Sequence, residues 1–324
     1  MPPLPTLAEI ESAAALVDAV GPPTPQFNWP QLSARAGCEL WVKHENHTEL
    51  GAFKVRGGLV YFARLVQREP GLCGVVAATR GNHGQSVAFA ARRHGLAAVI
   101  VVPHGNSAEK NQAMRALGAE LIEHGEDFQA AFEHARQFAT TRRRHLVPSF
   151  HSDLVAGVAV SALDFLQKTP ALDTVYVPVG MGSGICAMMA ARDALGLPTR
   201  IVGVVASAAP AIAQSFAARR LVTHPVSTRI ADGLACSTPD PEALEHILRG
   251  AARVVSVTDD EIEAALRVCF TATHNVIEGA AAAGLAAVLK EKPLNAGRCV
   301  GLVLTGGNID TAALARVLAA GSTP

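Results

Sequence analysis

Apolar residues fall along this chain in short uninterrupted runs of strand length, separated by longer segments with helical spacing. Val75-Val76-Ala77-Ala78 is one such run, and Ala98 to Val102, closed by Pro103, is the next. Between them a glycine-bearing turn, Gly81 to Gly84, leads into an alanine-rich helix ending near Gly95. Helices are predicted around Ala108 to Leu117 and Phe128 to Thr140. Val175 to Val179, a glycine loop, a helix from about Ile185 to Leu195 and the run Arg200 to Val205 make a strand-helix-strand unit. Thr258-Asp259-Asp260-Glu261 has the spacing of a capping box and opens a helix toward Thr273. Val300 to Leu304 is a late strand that runs into Thr305-Gly306-Gly307-Asn308.

Strands that are apolar throughout, rather than alternating, belong to sheets covered on both faces. The pattern therefore predicts an α/β fold with parallel-type sheets flanked by helices. In such sheets ligands gather at the carboxyl ends of the strands, and three polar or glycine-rich loops of this chain occupy that position. There is no repeat and no low-complexity linker, and no carboxy-terminal regulatory domain is expected after the last motif.

Composition narrows the choice of partner. The 324 residues are 49% hydrophobic and 17% charged, as in a packed globular protein. Lysine plus arginine equals aspartate plus glutamate, at 28 each, so no global field collects nucleic acid or an anionic membrane. The basic triplet Arg142-Arg143-Arg144 reads as a solvated helix end. Six scattered cysteines without a C-x-x-C pair fit neither a disulfide framework nor a zinc site. The amino terminus lacks the form of a signal peptide, and apolar stretches are too short to cross a bilayer. A cytoplasmic protein with neither a nucleic-acid nor a membrane partner is expected.

Four segments carry candidate chemistry. The first is Glu45 to Gly58, with Lys54 between Phe53 and Val55. A lysine beside a phenylalanine is commonly a surface residue. A lysine that attacks a carbonyl must instead be partly desolvated, which these apolar neighbours would provide. The second is Thr79-Arg80-Gly81-Asn82-His83-Gly84-Gln85, between a strand and a helix start. Exposed N–H groups there suit an anion such as a carboxylate, although a tight turn explains the same residues. His83 reads as a packing or orienting residue rather than a base. The third, Gly180-Met181-Gly182-Ser183-Gly184, again joins a strand to a helix, and its glycines let backbone close around a phosphate. A dinucleotide site would want G-x-G-x-x-G and an acidic residue after the next strand. That strand ends Val204-Val205-Ala206-Ser207, which counts against a nicotinamide cofactor. The fourth is Thr305-Gly306-Gly307-Asn308, whose hydroxyl caps a turn or faces a ring nitrogen. Upstream, Glu278 reads equally as a helix-start acid and as a ligand contact.

In this order the four segments resemble the fold-type II pyridoxal-phosphate enzymes, the threonine dehydratase and serine racemase group in particular. The resemblance runs from Pro22-Pro23-Thr24-Pro25 to Gly306-Gly307-Asn308. It implies an architecture like the tryptophan synthase β chain. Residues 1–73 and 152–324 would form a large cofactor-binding domain, with residues 74–151 a small mobile domain that binds the substrate carboxylate. It implies pyridoxal 5'-phosphate as cofactor and a homodimer. Lys54 then matches the Schiff-base lysine and Asn82 the residue on the cofactor's ring oxygen. Thr79, Arg80, Gly81, Asn82 and His83 match the substrate-carboxylate loop. Gly180, Met181, Gly182, Ser183 and Gly184 match the phosphate cup, with Met181 and Ser183 where many relatives have glycine. Thr305 matches the hydroxyl facing the ring nitrogen, and Phe53 and Glu278 complete the expected cofactor contacts. Thr228-Arg229-Ile230-Ala231-Asp232-Gly233 resembles a stretch that borders the site.

The implied activity is dehydration and deamination of a β-hydroxy amino acid of the threonine or serine type, 3-hydroxyaspartate or phenylserine included. Racemisation, β-replacement and non-catalytic binding are the alternatives. Three departures bear on the choice. Arg80 stands where the racemases carry a serine base, and a guanidinium stays protonated. Ala206 and Ser207 stand where some relatives place an acidic metal ligand, so no metal is expected. His151 stands near the register of an acidic residue beside the substrate side chain, which makes it a candidate substrate contact.

Overall fold

The computed structural model describes residues 3–320. Its strands form two sheets. The larger runs, in spatial order, β1 (Gln26–Asn28), β2 (Glu39–His44), β10 (Cys299–Leu304), β7 (Thr174–Pro178), β8 (Arg200–Ala206) and β9 (Arg253–Val257). The smaller runs β5 (Glu120–Glu123), β4 (Ala97–Val102), β3 (Gly74–Ala78) and β6 (His145–Leu146). Every pairing is parallel except β1 on β2, so the larger sheet is mixed, with an antiparallel strand at its edge. Such an edge is common on an otherwise parallel sheet. β3 and β7 are buried along their whole length, as their unbroken apolar sequences require.

The predicted strands and helices recur within a residue or two of the expected bounds. The capping box closes as its spacing implied. Thr258 Oγ1 accepts from the Glu261 N–H at 3.1 Å, and Glu261 Oε2 accepts from the Thr258 N–H at 2.7 Å. The helix they open spans Asp259–Thr273.

The helix Lys54–Arg68 joins the two halves. Val60 on it packs into the core of the larger sheet with Val155 and Ala159, while Tyr61, Phe62 and Leu65 pack with Val75, Ala77 and Val87 beneath the smaller one. It crosses the helix Ser152–Lys168 at backbone contact. A Cβ on Gly157 would lie 2.2 Å from the Arg56 carbonyl oxygen, so only glycine lets the two helices approach this closely. Two residues beyond Lys54, Arg56 is fixed by a buried carboxylate. Glu45 accepts from Arg56 Nε at 2.6 Å, from Thr24 Oγ1 at 2.5 Å and from Ser161 Oγ at 2.6 Å. Burial pushes the Glu45 carboxyl up, but the Arg56 charge and these hydrogen bonds outweigh it and hold the group below the usual range.

Candidate active site

A cleft enclosing about 1050 Å³, part of it open to solvent, lies between the halves at the carboxyl ends of the strands. Thr79 follows β3, Gly180 lies just past β7 and Thr305 follows β10. The loop leading to Lys54 follows β2 through a turn of 3-10 helix at Glu45–His47. That loop is pinned to the one after β10. The Phe53 N–H donates to the Thr305 carbonyl at 3.0 Å, and the Gly307 N–H donates to that of Gly51 at 2.8 Å.

Lys54 is the first residue of its helix and faces the glycine loop. Its Nζ donates to Ser183 Oγ at 3.0 Å and sits 5.1 Å from the centroid of the Phe53 ring. Burial without an acidic partner lowers the amine from its ordinary value to about 8. The neutral, nucleophilic form is then a sizeable fraction near pH 8, which an ordinary lysine does not reach.

Opposite Lys54, Gly180 to Gly184 form a cradle that tolerates no extra atoms at two points. A Cβ on Gly180 would lie 2.2 Å from the Gly233 carbonyl oxygen. Gly182 has φ +100°, in the left-handed region, and caps the helix Ser183–Ala194 without a side chain. That helix start presents N–H groups and the positive end of its dipole to the cleft, which suits a phosphate.

The third wall is the loop after β3. Gly81 N–H donates to Thr79 Oγ1 at 3.1 Å, and Asn82 begins the helix Asn82–Arg93. Asn82 is held from two sides. Its Nδ2 donates to the Glu278 carboxylate oxygens at 2.9 and 3.0 Å, and its Oδ1 accepts from Asn308 Nδ2 at 2.8 Å. Glu278 precedes the helix Gly279–Lys290 but makes no cap to it. Its side chain turns into the cleft, where burial raises its carboxyl. The structure thus places the Glu278 carboxylate at the helix start and in the cleft, against Asn82. His83 also lines the cleft, with a buried Nε2 that has no hydrogen-bond partner among the described residues. Burial, with the Lys54 charge, lowers its ring to about 3 and keeps it neutral.

Phe53, Lys54, Thr79, Arg80, Gly81, Asn82, His83, Met181, Ser183, Glu278 and Thr305 are therefore brought to one cleft with Gly180, Gly182 and Gly184. His151 is not among the residues that line it, contrary to its expected place beside the substrate. Its Nδ1 accepts from the Asp153 N–H at 3.0 Å, capping the helix Ser152–Lys168, and its ring stands edge-on to Tyr61. Cleft residues that the sequence did not single out include Lys110, Phe128, Ser149 and Cys236. Lys110 Nζ donates to Asp232 Oδ2 at 2.8 Å, and Asp232 lies in the Thr228 to Gly233 stretch expected to border the site.

Two features fit this cleft to a phosphorylated aldehyde, namely a desolvated amine and a phosphate-sized cradle at a helix start. Together with the two-sheet fold they define a pyridoxal-phosphate enzyme. A model of the family described as pyridoxal-phosphate dependent enzyme matches residues 17–306, and the chain belongs to that family, with pyridoxal phosphate as its cofactor.

The chain is 32% identical to an L-threonine ammonia-lyase of Thermotoga maritima over 314 residues, which cover 97% of this chain and 78% of that one. It is 30% identical to an L-threo-3-hydroxyaspartate ammonia-lyase of a Pseudomonas species over 313 residues, 96% of this chain and 97% of that one. Among solved structures, a pyridoxal 5'-phosphate-dependent aspartate racemase superposes with a TM-score of 0.90 at 29% identity, covering 97% of this chain and 99% of that one.

Proposed function

We propose that the protein is a pyridoxal-phosphate-dependent ammonia-lyase that converts a β-hydroxy amino acid to a 2-oxo acid and ammonia. The observation that carries this reading is the desolvated Lys54 amine, 3.0 Å from Ser183 at the rim of the phosphate cradle. The bound cofactor supplies an electron sink for the pair left behind when the substrate loses its Cα proton. Lys54 holds the cofactor in the resting enzyme. As a free amine Lys54 would be the base for the Cα proton, and its lowered basicity raises the neutral fraction able to accept it. Gly180, Met181, Gly182, Ser183 and Gly184 would hold the phosphate, and Thr305 would be the hydroxyl partner of the ring nitrogen. Asn82, oriented by Glu278 and Asn308, meets the ring oxygen. The loop from Thr79 to His83 takes the substrate carboxylate on its helix start.

The β-hydroxyl would then leave as water, taking up the proton that Lys54 removed from Cα, and hydrolysis of the remaining unsaturated amine would give 2-oxo acid and ammonia. The relatives named for threonine and hydroxyaspartate ammonia-lyase activity support this outcome. Several solved relatives are racemases, and the residue at position 80 bears on that alternative. Arg80 occupies the sequence position at which the resemblance to the racemases would put the second base, and a guanidinium cannot accept the proton. Residues 74–151 are assigned as a small domain that closes over substrate, in a homodimeric, cytoplasmic enzyme. The smaller sheet, whose strands all fall between Gly74 and Leu146, supports the assignment of the small domain. Among the described residues no helix is long and apolar enough to cross a membrane.

The test is to incubate holoprotein with L-threonine, L-serine, L-threo-3-hydroxyaspartate and L-threo-phenylserine and to assay 2-oxo acid and ammonia. Equimolar release of both is expected with at least one substrate. Formation of D-amino acid without 2-oxo acid, or of a thiol product only when sulfide is added, would replace this reading with racemisation or β-replacement.

A further inference from the structure

Lys54, Arg80 and Lys110 line the cleft, and only Arg80 lacks a side-chain partner among the described residues. Lys110 is paired with Asp232, and the Lys54 amine donates to Ser183 Oγ at 3.0 Å. Arg80 also lines the cleft, yet its guanidinium makes no ion pair and no hydrogen bond among the described residues. A structural arginine in so polar a setting would take a carboxylate. The nearest mobile cation cannot be confused with it, because Lys110 lies over Gly81 and is committed to Asp232. A Cβ on Gly81 would sit 3.1 Å from Lys110 Cδ. The α-carboxylate of an amino acid has its own seat in the N–H groups at the start of the Asn82 helix, so it leaves the Arg80 side chain free.

We propose that Arg80 is a specificity-determining residue that binds a second carboxylate, carried on the β-carbon of the substrate. The proposal rests on the ammonia-lyase reading and adds the class of substrate, a β-hydroxy amino dicarboxylate. A planar guanidinium offers paired N–H donors to a carboxylate, and such charge-assisted contacts are stronger than neutral ones. The position has a further consequence. The residue that removes the second base from the far face of the substrate is the same one that recognises the acidic side chain, so selectivity for the diacid and suppression of racemisation share one side chain.

Non-reacting ligands separate this proposal from the turnover it rests on. L-Aspartate and L-alanine both lack a β-hydroxyl leaving group, and their binding to holoprotein is measured by calorimetry. The expected result is L-aspartate binding roughly 10- to 100-fold tighter than L-alanine, the range for one charge-assisted contact. In Arg80→Met that preference falls to within about threefold of unity, while Arg80→Lys, which keeps the charge without the fork, retains part of it. Cofactor absorbance and thermal midpoint measured on each variant show that the fold and the loaded site persist. Equal weakening of both ligands in Arg80→Met would place Arg80 on the α-carboxylate and overturn the proposal, as would no preference in the parent protein. Release of 2-oxo acid from β-hydroxy substrates is scored separately, so the dehydratase reading can fail while the aspartate preference stands, or the reverse.

Discussion

At Lys54, chemistry and burial pull in the same direction. Desolvation lowers the amine to about 8, which favours the neutral form above that pH. The sign gives a test in protein stripped of cofactor. The rate of imine formation with pyridoxal, which lacks the phosphate, is expected to rise about tenfold per pH unit below 8 and level off above it. A rise continuing past pH 10 would mean an ordinary, solvated lysine. Much at this scale was legible in the sequence, because a lysine between Phe53 and Val55, a glycine loop and a polar turn each declare a local backbone requirement. What escaped was anything decided by distant chain. Glu278 lies 196 positions from Asn82 and read as readily as a helix-start acid, yet the two side chains meet at 2.9 Å. Lys110 carried no local signal, since its partner Asp232 is 122 positions away. His151 misled for a local reason, because its ring is taken up in capping the helix it precedes.

Among elements, the helix Lys54–Arg68 carries the strongest constraint. It is anchored two residues beyond Lys54 by the Glu45–Arg56 pair, whose side chains are 1% and 4% exposed. Removing one partner of a buried pair strands the other charge, which costs about 3–5 kcal/mol. Glu45→Ala is therefore expected to lower unfolding free energy by that amount in urea titration. A loss below about 1 kcal/mol would show that the pair does not anchor the helix. The strand-helix alternation was visible from the apolar runs alone, and β3, β4, β7, β8 and β10 fall where those runs predicted. β1 and β6 span only three and two residues, too short to leave a periodic signature. The antiparallel edge on the larger sheet is set by the pairing of Phe27 with Val42, a contact that no local pattern reveals.

Across the whole molecule, the two sheets are tied over the cleft by a small set of polar contacts from one helix. Ser107, at the start of the helix Ala108–Ala116, donates to Asp310 Oδ1 at 2.5 Å. Glu109 accepts from the Thr311 N–H at 3.0 Å, and Lys110 reaches Asp232. Each of these contacts keeps at least one partner exposed or half-buried, so they bias an opening equilibrium more than they stabilise the fold. Lys110→Ala is expected to cost less than about 1 kcal/mol of global stability. It should nevertheless speed hydrogen exchange in the peptides covering residues 79–84 and 107–111. Unchanged exchange there would contradict a latch. The proposed chemistry depends on an imine between the Lys54 amine and the cofactor's aldehyde. The most direct measurement is borohydride reduction of the cofactor-loaded protein, followed by proteolysis and mass spectrometry. The account predicts a pyridoxyl label on the peptide containing Lys54 and its absence from Lys54→Ala. A label on another lysine, or none, would contradict it.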